Sequence, residues 1–126
     1  MSLKSYRELL VWQKSILATK MVYLLVKRLP REELFALSSQ MRRAAISIPS
    51  NIAEGQARNS AKEFLKFLSI AKGSKAELET QLTLCVEIKY LTQEDISSVM
   101  SLLEEIGKML NSLICKLSNN ILITNH

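Results

Sequence analysis

The side chains that most often do chemistry are nearly missing from this chain. Its single histidine is His126, the last of 126 residues. That removes histidine-based acid–base catalysis, His–Cys nucleophiles and most zinc sites. Cys85 and Cys115 stand in no metal spacing, and each falls in an apolar helical pattern that reads as a buried small hydrophobe. Gly55, Gly73 and Gly107 stand singly, so no glycine loop can cradle a phosphate. Bundle-type di-iron sites need Glu-x-x-His pairs, and none exists. No catalytic residue, metal or cofactor is expected.

One constellation of chemically capable residues remains. Gln40, Arg42, Arg43, Ser47, Ser50, Asn51 and Glu54 crowd one segment, and Ser74, Glu77, Glu79 and Thr80 crowd a later one. Arg43, Ser47, Ser50/Asn51 and Glu54 step by three or four, which places them on one side of a helix. Clustered carboxylates can bind a cation or exchange protons, and an enzyme would draw on Glu54, Glu77 and Glu79. The other reading, and the one expected, is structural: Arg–Glu and Asn–Glu pairs across helices that fix register and partner choice. Arg43, Asn51, Glu54 and Glu77 then form a buried network, in which Glu54→Ala strands a charge at roughly 3–5 kcal/mol.

The elements that must position these residues are helices. Hydrophobic residues make up 48% and charged residues 23%, with only 3 Gly and 2 Pro. Such a chain is globular, a single domain, and poor in turn formers, which long helices need least. The clearest segment carries Val99, Leu103, Ile106, Leu110, Leu113 and Leu117 in steps of four and three. Thr92 with Asp95 forms a capping box at its start, and Leu91 can staple onto Ile96. The preceding segment repeats the rhythm with Phe64, Leu68, Ala71, Leu78, Leu82 and Cys85 after a Ser60–Glu63 box. Lys75 interrupts that seam, and Gly73 suggests a close crossing by a neighbouring helix. A further segment opens near Pro30, with Glu32 and Glu33 at its positive end, and lines one face with Leu34, Leu37, Met41, Ala45, Ile48 and Ile52. Pro49 should kink it, Ser47 and Ser50 can satisfy the freed carbonyls, and Gly55 marks its end. The spacing predicts an all-α, antiparallel up-down four-helix bundle with helices over about 6–29, 31–56, 61–89 and 93–119.

The first helix differs from the others. Leu9, Trp12, Ile16 and Tyr23 fall on one side, and Leu10, Leu17, Met21 and Leu24 on another. A helix apolar all round is buried on more than one side, so the second side calls for a partner, and self-association supplies one. No apolar run reaches the roughly 18 residues of a membrane span. Two cysteines without a signal peptide fit a reducing cytoplasm.

The net charge of +5 is uneven, with six basic side chains against Glu8 alone in residues 1–30. Lys4, Arg7, Lys14, Lys20, Lys27 and Arg28 are candidate contacts to RNA or another acidic partner; a solvated surface explains them equally well. They make no clean stripe, because Arg7/Lys14 and Lys20/Lys27 lie on roughly opposite sides of the helix.

Three stretches carry a family resemblance: Leu10-Val11-Trp12-Gln13-Lys14, the run Gln40 to Gly55, and Gly73-Ser74 with Glu77-Leu78-Glu79-Thr80-Gln81. They resemble the bacterial four-helix-bundle proteins encoded in intervening sequences of large-subunit ribosomal RNA genes, over about Tyr6 to Leu117. Lys75 departs from the family, which usually has an apolar residue there. The resemblance implies a ring-like homopentamer with no enzymatic activity. A distant relative, the accessory protein of diversity-generating retroelements, is a basic pentamer that binds a reverse transcriptase and nucleic acid. The expectation is therefore a non-enzymatic oligomeric scaffold that contacts RNA or an RNA-bound protein. The alternative is a protein-interaction adaptor without nucleic-acid binding.

Overall fold

A computed structural model of the chain describes residues 5–124, with side chains through Ile121. Four helices make up the fold, α1 (Leu10–Val26), α2 (Leu37–Ala57), α3 (Ala61–Glu87) and α4 (Gln93–Thr124), with short 3-10 turns at Tyr6–Glu8 and Arg31–Glu33. No strand occurs among the described residues. α1 packs on α2 and α4, and α3 packs on the same two helices. The buried apolar residues of all four form one cluster, in which Met41, Ile52, Leu68, Leu82, Leu103 and Ile106 are completely enclosed.

Local chemistry explains the boundaries. At the start of α4 the Thr92 amide donates to the Asp95 carboxylate (2.8 Å) and the Asp95 amide to the Thr92 hydroxyl (3.0 Å). Each side chain of this capping box satisfies an amide that lacks a helical acceptor. The bond from the Thr92 amide, then the Arg28 guanidinium, holds the Asp95 carboxyl below its ordinary range. At α3 the Glu63 amide donates to the Ser60 hydroxyl (3.3 Å). α3 closes two residues before the expected end, in a Schellman arrangement: Tyr90 donates to the Cys85 carbonyl and Lys89 to that of Val86. Lys89 takes the left-handed position, φ 73°, that glycine usually fills.

The first two helices are shorter than the pattern suggests. Leu9 is extended, so α1 begins only at Leu10, and Tyr6–Glu8 forms a separate turn tied down by the Gln13 amide on the Arg7 carbonyl (2.8 Å). Residues 31–33 likewise form their own turn, and Ala36 (φ −123°, ψ −105°) breaks the path into α2. Leu34 is consequently exposed rather than on the core face. Glu33 does serve the positive end of α2, but at the Leu37 amide (3.3 Å), while also accepting the Tyr90 hydroxyl (2.8 Å).

Pro49 sits buried inside α2, which continues to Ala57. Having no N–H, it leaves the Ala45 carbonyl without its helical donor. Neither Ser47 nor Ser50 fills that gap. The Thr19 hydroxyl of α1 does, at 3.1 Å, sharing its proton with the Ser15 carbonyl at 2.8 Å.

Two glycines depart from expectation. Gly55 lies within α2, and a Cβ there would stand 2.7 Å from the Phe67 Cβ. Close approach of α3, not helix termination, is its role. Gly73 has nothing within 4 Å of where its Cβ would be, so among the described residues no helix crosses it closely. Gly107 instead receives the Lys75 stem, whose Cε lies 2.8 Å from the position of a Cβ. Lys75 thus occupies an apolar seam by covering a glycine, with its ammonium 2.9 Å from Glu79.

Candidate functional site

α1 buries a single stripe, Val11, Ser15, Ala18, Val22 and Val26. At 100° per residue the opposite side holds Leu10, Leu17 and Leu24 as one ridge, and Ile16 with Tyr23 as another. Between the ridges run Gln13, Lys20 and Lys27, all exposed. Leu10 is 54% and Leu24 57% exposed, well beyond a core residue. The buried stripe is thus neither of the two sides expected from the sequence: Leu9, Trp12 and Met21 are half-buried at its flanks, and Leu10, Ile16, Leu17, Tyr23 and Leu24 are exposed.

The structure divides the six basic candidates. Lys4 lies outside the described residues. Lys14 forms an ion pair with Glu105 of α4 (2.9 Å), and Arg28 forms a bidentate pair with Asp95 (2.9 and 3.3 Å). Arg7 rests its guanidinium 5.6 Å from the centre of the Tyr6 ring, which itself packs edge-on against Trp12. Lys20 and Lys27 are exposed, and no ion pair engages them among the described residues.

Among the described residues the polar constellation of α2 and α3 is not a buried network. Gln40, Arg43, Ser47 and Glu77 line an open groove of about 570 Å³ between the two helices. Of these, Ser47 is hydrogen-bonded beyond the groove: the Asn51 amide donates to the Ser47 carbonyl (2.7 Å) and hydroxyl (2.9 Å), and Ser47 meets the Ser74 hydroxyl at 2.8 Å. Arg43, Glu54 and Glu77 are exposed. Among the described residues Glu54 pairs only with Arg58 one turn on (3.0 Å), Glu79 pairs with Lys75, and Arg42 faces a different cleft. The reason is geometric. Met41, Ala44, Ala45, Ile48, Ile52 and Gly55 fill the inward arc of α2, so residues stepping from Arg43 to Glu54 must point out. A solvated ion pair of this kind contributes only about 0.3–0.5 kcal/mol, far below the cost of stranding a buried charge.

Several polar groups escaped the sequence pattern. Gln81 is 5% exposed and its Oε1 has no partner in the described structure. Ser38 is equally buried at the α1–α2 corner. Neither residue type signals burial in a sequence. Cys85 is enclosed with its thiol 3.6 Å from the Met41 sulfur, and burial, then the charge of Glu33, pushes it up to about 11. Cys115 is exposed rather than core. Among the described residues no group of His, Cys, Asp and Glu is arranged to hold a metal, and no helix is long and apolar enough to cross a membrane.

Residues 7–112 match the family described as 23S rRNA-intervening sequence protein. The chain belongs to that family. A solved structure from Bacteroides thetaiotaomicron, described as a protein with unknown function from the S23 ribosomal protein family, is similar at 33% identity. The alignment covers 83% of this chain and 98% of that one, with a TM-score of 0.77. Among curated proteins none matches. The matched span includes the α1 ridges, the Pro49 segment and the α2–α3 groove, so the surfaces described above all lie inside the family domain.

Proposed function

We propose that the chain is a non-enzymatic cytoplasmic scaffold that assembles as a homopentamer and contacts RNA, or a protein carried on RNA, through basic surface. The observation that carries this reading is the uncovered Leu10–Leu17–Leu24 ridge of α1. A contiguous exposed apolar surface of this kind marks an interaction site, and the family resemblance supplies a second copy as its partner. The family's name connects it with ribosomal RNA, and the exposed cations Lys20 and Lys27 stand beside the ridge. The carboxylates an enzyme would need are dispersed: Glu54 on Arg58, Glu79 on Lys75, Glu77 in the open groove.

Native mass spectrometry at micromolar concentration should count five subunits, and Leu17→Glu with Leu24→Glu should reduce them to monomers that remain helical. A wild-type monomer throughout that range refutes the assembly. Structured RNA should bind at about 50 mM salt, with log affinity falling by about 0.7–0.9 per phosphate for each unit of log salt. Capture of Lys14 and Arg28 in ion pairs favours the second reading, a protein adaptor, and binding that ignores salt would select it.

A further inference from the structure

The corner between α1 and α2 holds a cleft distinct from the Leu10–Leu17–Leu24 ridge and the α2–α3 groove, sharing Tyr23 and Lys27 with the outer side of α1. It encloses about 490 Å³, within the range of small-ligand sites. Three cations line it from three different elements: Lys27 just past α1, Arg31 on the 3-10 turn and Arg42 on α2. No carboxylate lines it. Glu33 of the same turn is committed to the Leu37 amide and the Tyr90 hydroxyl.

Lys14 and Arg28 are neutralised by acids of α4, but no ion pair or side-chain hydrogen bond engages Lys27, Arg31 or Arg42 among the described residues. Three like charges held together repel one another, and an anion bound among them reverses that cost. Arg42 is moreover half-buried without a counter-ion, an arrangement that favours a bound anion over bulk water. The remaining lining is specific as well. Ser38 is only 3% exposed, lines the cleft, and its hydroxyl has no hydrogen-bond partner among the described residues. Tyr23 contributes a partly exposed aromatic ring. Cations for phosphate, a spare hydroxyl and an aromatic face together are the features that hold an unstacked nucleotide.

We propose that this cleft seats a nucleotide of single-stranded RNA, with its phosphates on Lys27, Arg31 and Arg42 and its base against Tyr23. The proposal rests on the RNA-contact reading above and locates it away from the α1 ridge. Recognition follows charge and stacking, so little sequence preference is expected.

The test is fluorescence anisotropy of the full chain with a labelled ten-nucleotide oligo(A) RNA at about 50 mM salt. Changing Lys27, Arg31 and Arg42 together to Gln should weaken binding at least tenfold and lower the salt slope by about two, at roughly 0.7 per phosphate contact on a single strand. Tyr23→Leu should weaken it roughly tenfold at an unchanged slope. Lys62→Gln with Lys66→Gln, both exposed on α3, should change little. Circular dichroism and subunit count should stay as in the wild type; if the triple variant does not fold, Lys27→Gln with Arg31→Gln, both exposed, should give a smaller loss of the same kind. If the cleft variants bind like wild type while Arg7→Gln with Lys20→Gln weakens binding, the cleft assignment is overturned and RNA lies on α1, leaving the scaffold reading intact. Wild-type protein that binds structured RNA but not this oligonucleotide overturns the cleft assignment alone, and wild-type protein that binds neither overturns both. A deca-glutamate peptide binding as tightly as the RNA, with Tyr23→Leu indifferent, overturns the assignment in favour of an acidic protein partner.

Discussion

Thr19→Val keeps the size and branching of the side chain and removes one hydroxyl, so its cost isolates a single hydrogen bond. The Ala45 carbonyl has lost its helical donor to Pro49 and depends on the Thr19 hydroxyl at 3.1 Å. Ala45 is 1% exposed, so water has little access to replace that donor. The Ser15 carbonyl, which the same hydroxyl also touches, keeps the Thr19 amide of its own helix and is not stranded. One buried carbonyl without a partner costs about 1–3 kcal/mol. The extra methyl gained by valine offsets a fraction of this, leaving about 1–2 kcal/mol. At this chain length 1 kcal/mol corresponds to roughly 3–5 °C in melting temperature. Calorimetry at fixed protein concentration should therefore find Tm lowered by about 3–10 °C, concentration being held because self-association, where it occurs, shifts apparent stability. The decisive measurement is a cycle with Pro49→Ala, which restores an N–H to Ala45. In that background Thr19→Val should cost under about 0.5 kcal/mol. An equal cost in both backgrounds, or no cost in the wild type, would refute the pairing of Thr19 with the proline-freed carbonyl.

The same substitution should have opposite signs at two glycines. Gly55→Ala must push against the Phe67 Cβ and destabilise by about 1–2 kcal/mol, whereas Gly73→Ala meets open space and should stabilise the fold by up to about 1 kcal/mol; urea unfolding distinguishes them. Lys89→Gly should raise Tm by relieving the left-handed backbone, worth about 1 kcal/mol, while Lys89→Ala should not. Alkylation at neutral pH should label the exposed Cys115 and spare Cys85 until the chain unfolds. Because the folded Cys85 thiol is raised from 9.0 to about 11, its contribution is complete below pH 9 and is lost as pH rises through 11, so Tm should fall across that alkaline window.

Family membership and four helices were legible because they rest on local, repeated signals. Capping boxes are short-range hydrogen bonds, and those at Ser60 and Thr92 form as their residues dictate. The heptad seam of the last helix places Val99, Leu103, Ile106 and Leu110 in the core, though Leu113 and Leu117 only half-bury. Helix starts were harder to read. Residues 31–33 have good helix-opening chemistry, but the Tyr90 hydroxyl reaches Glu33 from the α3–α4 turn, a contact across 57 positions of sequence that no window contains.

The polar constellation shows where the sequence alone stops. Spacing correctly put Arg43, Ser47 and Glu54 on one side of a helix, but periodicity assigns a side without saying whether it faces core or water. That was decided when Met41, Ala45, Ile48 and Ile52 took the inward arc of α2. The partners of Lys14 and Arg28, the donor for the proline-freed carbonyl and the gathering of Lys27, Arg31 and Arg42 were likewise settled by packing. The sequence determined which residues are charged, apolar or able to cap, because those properties belong to single side chains and their near neighbours. Which charges are neutralised and which left free was decided by tertiary structure, because an ion pair or a cleft depends on distances between segments remote along the chain.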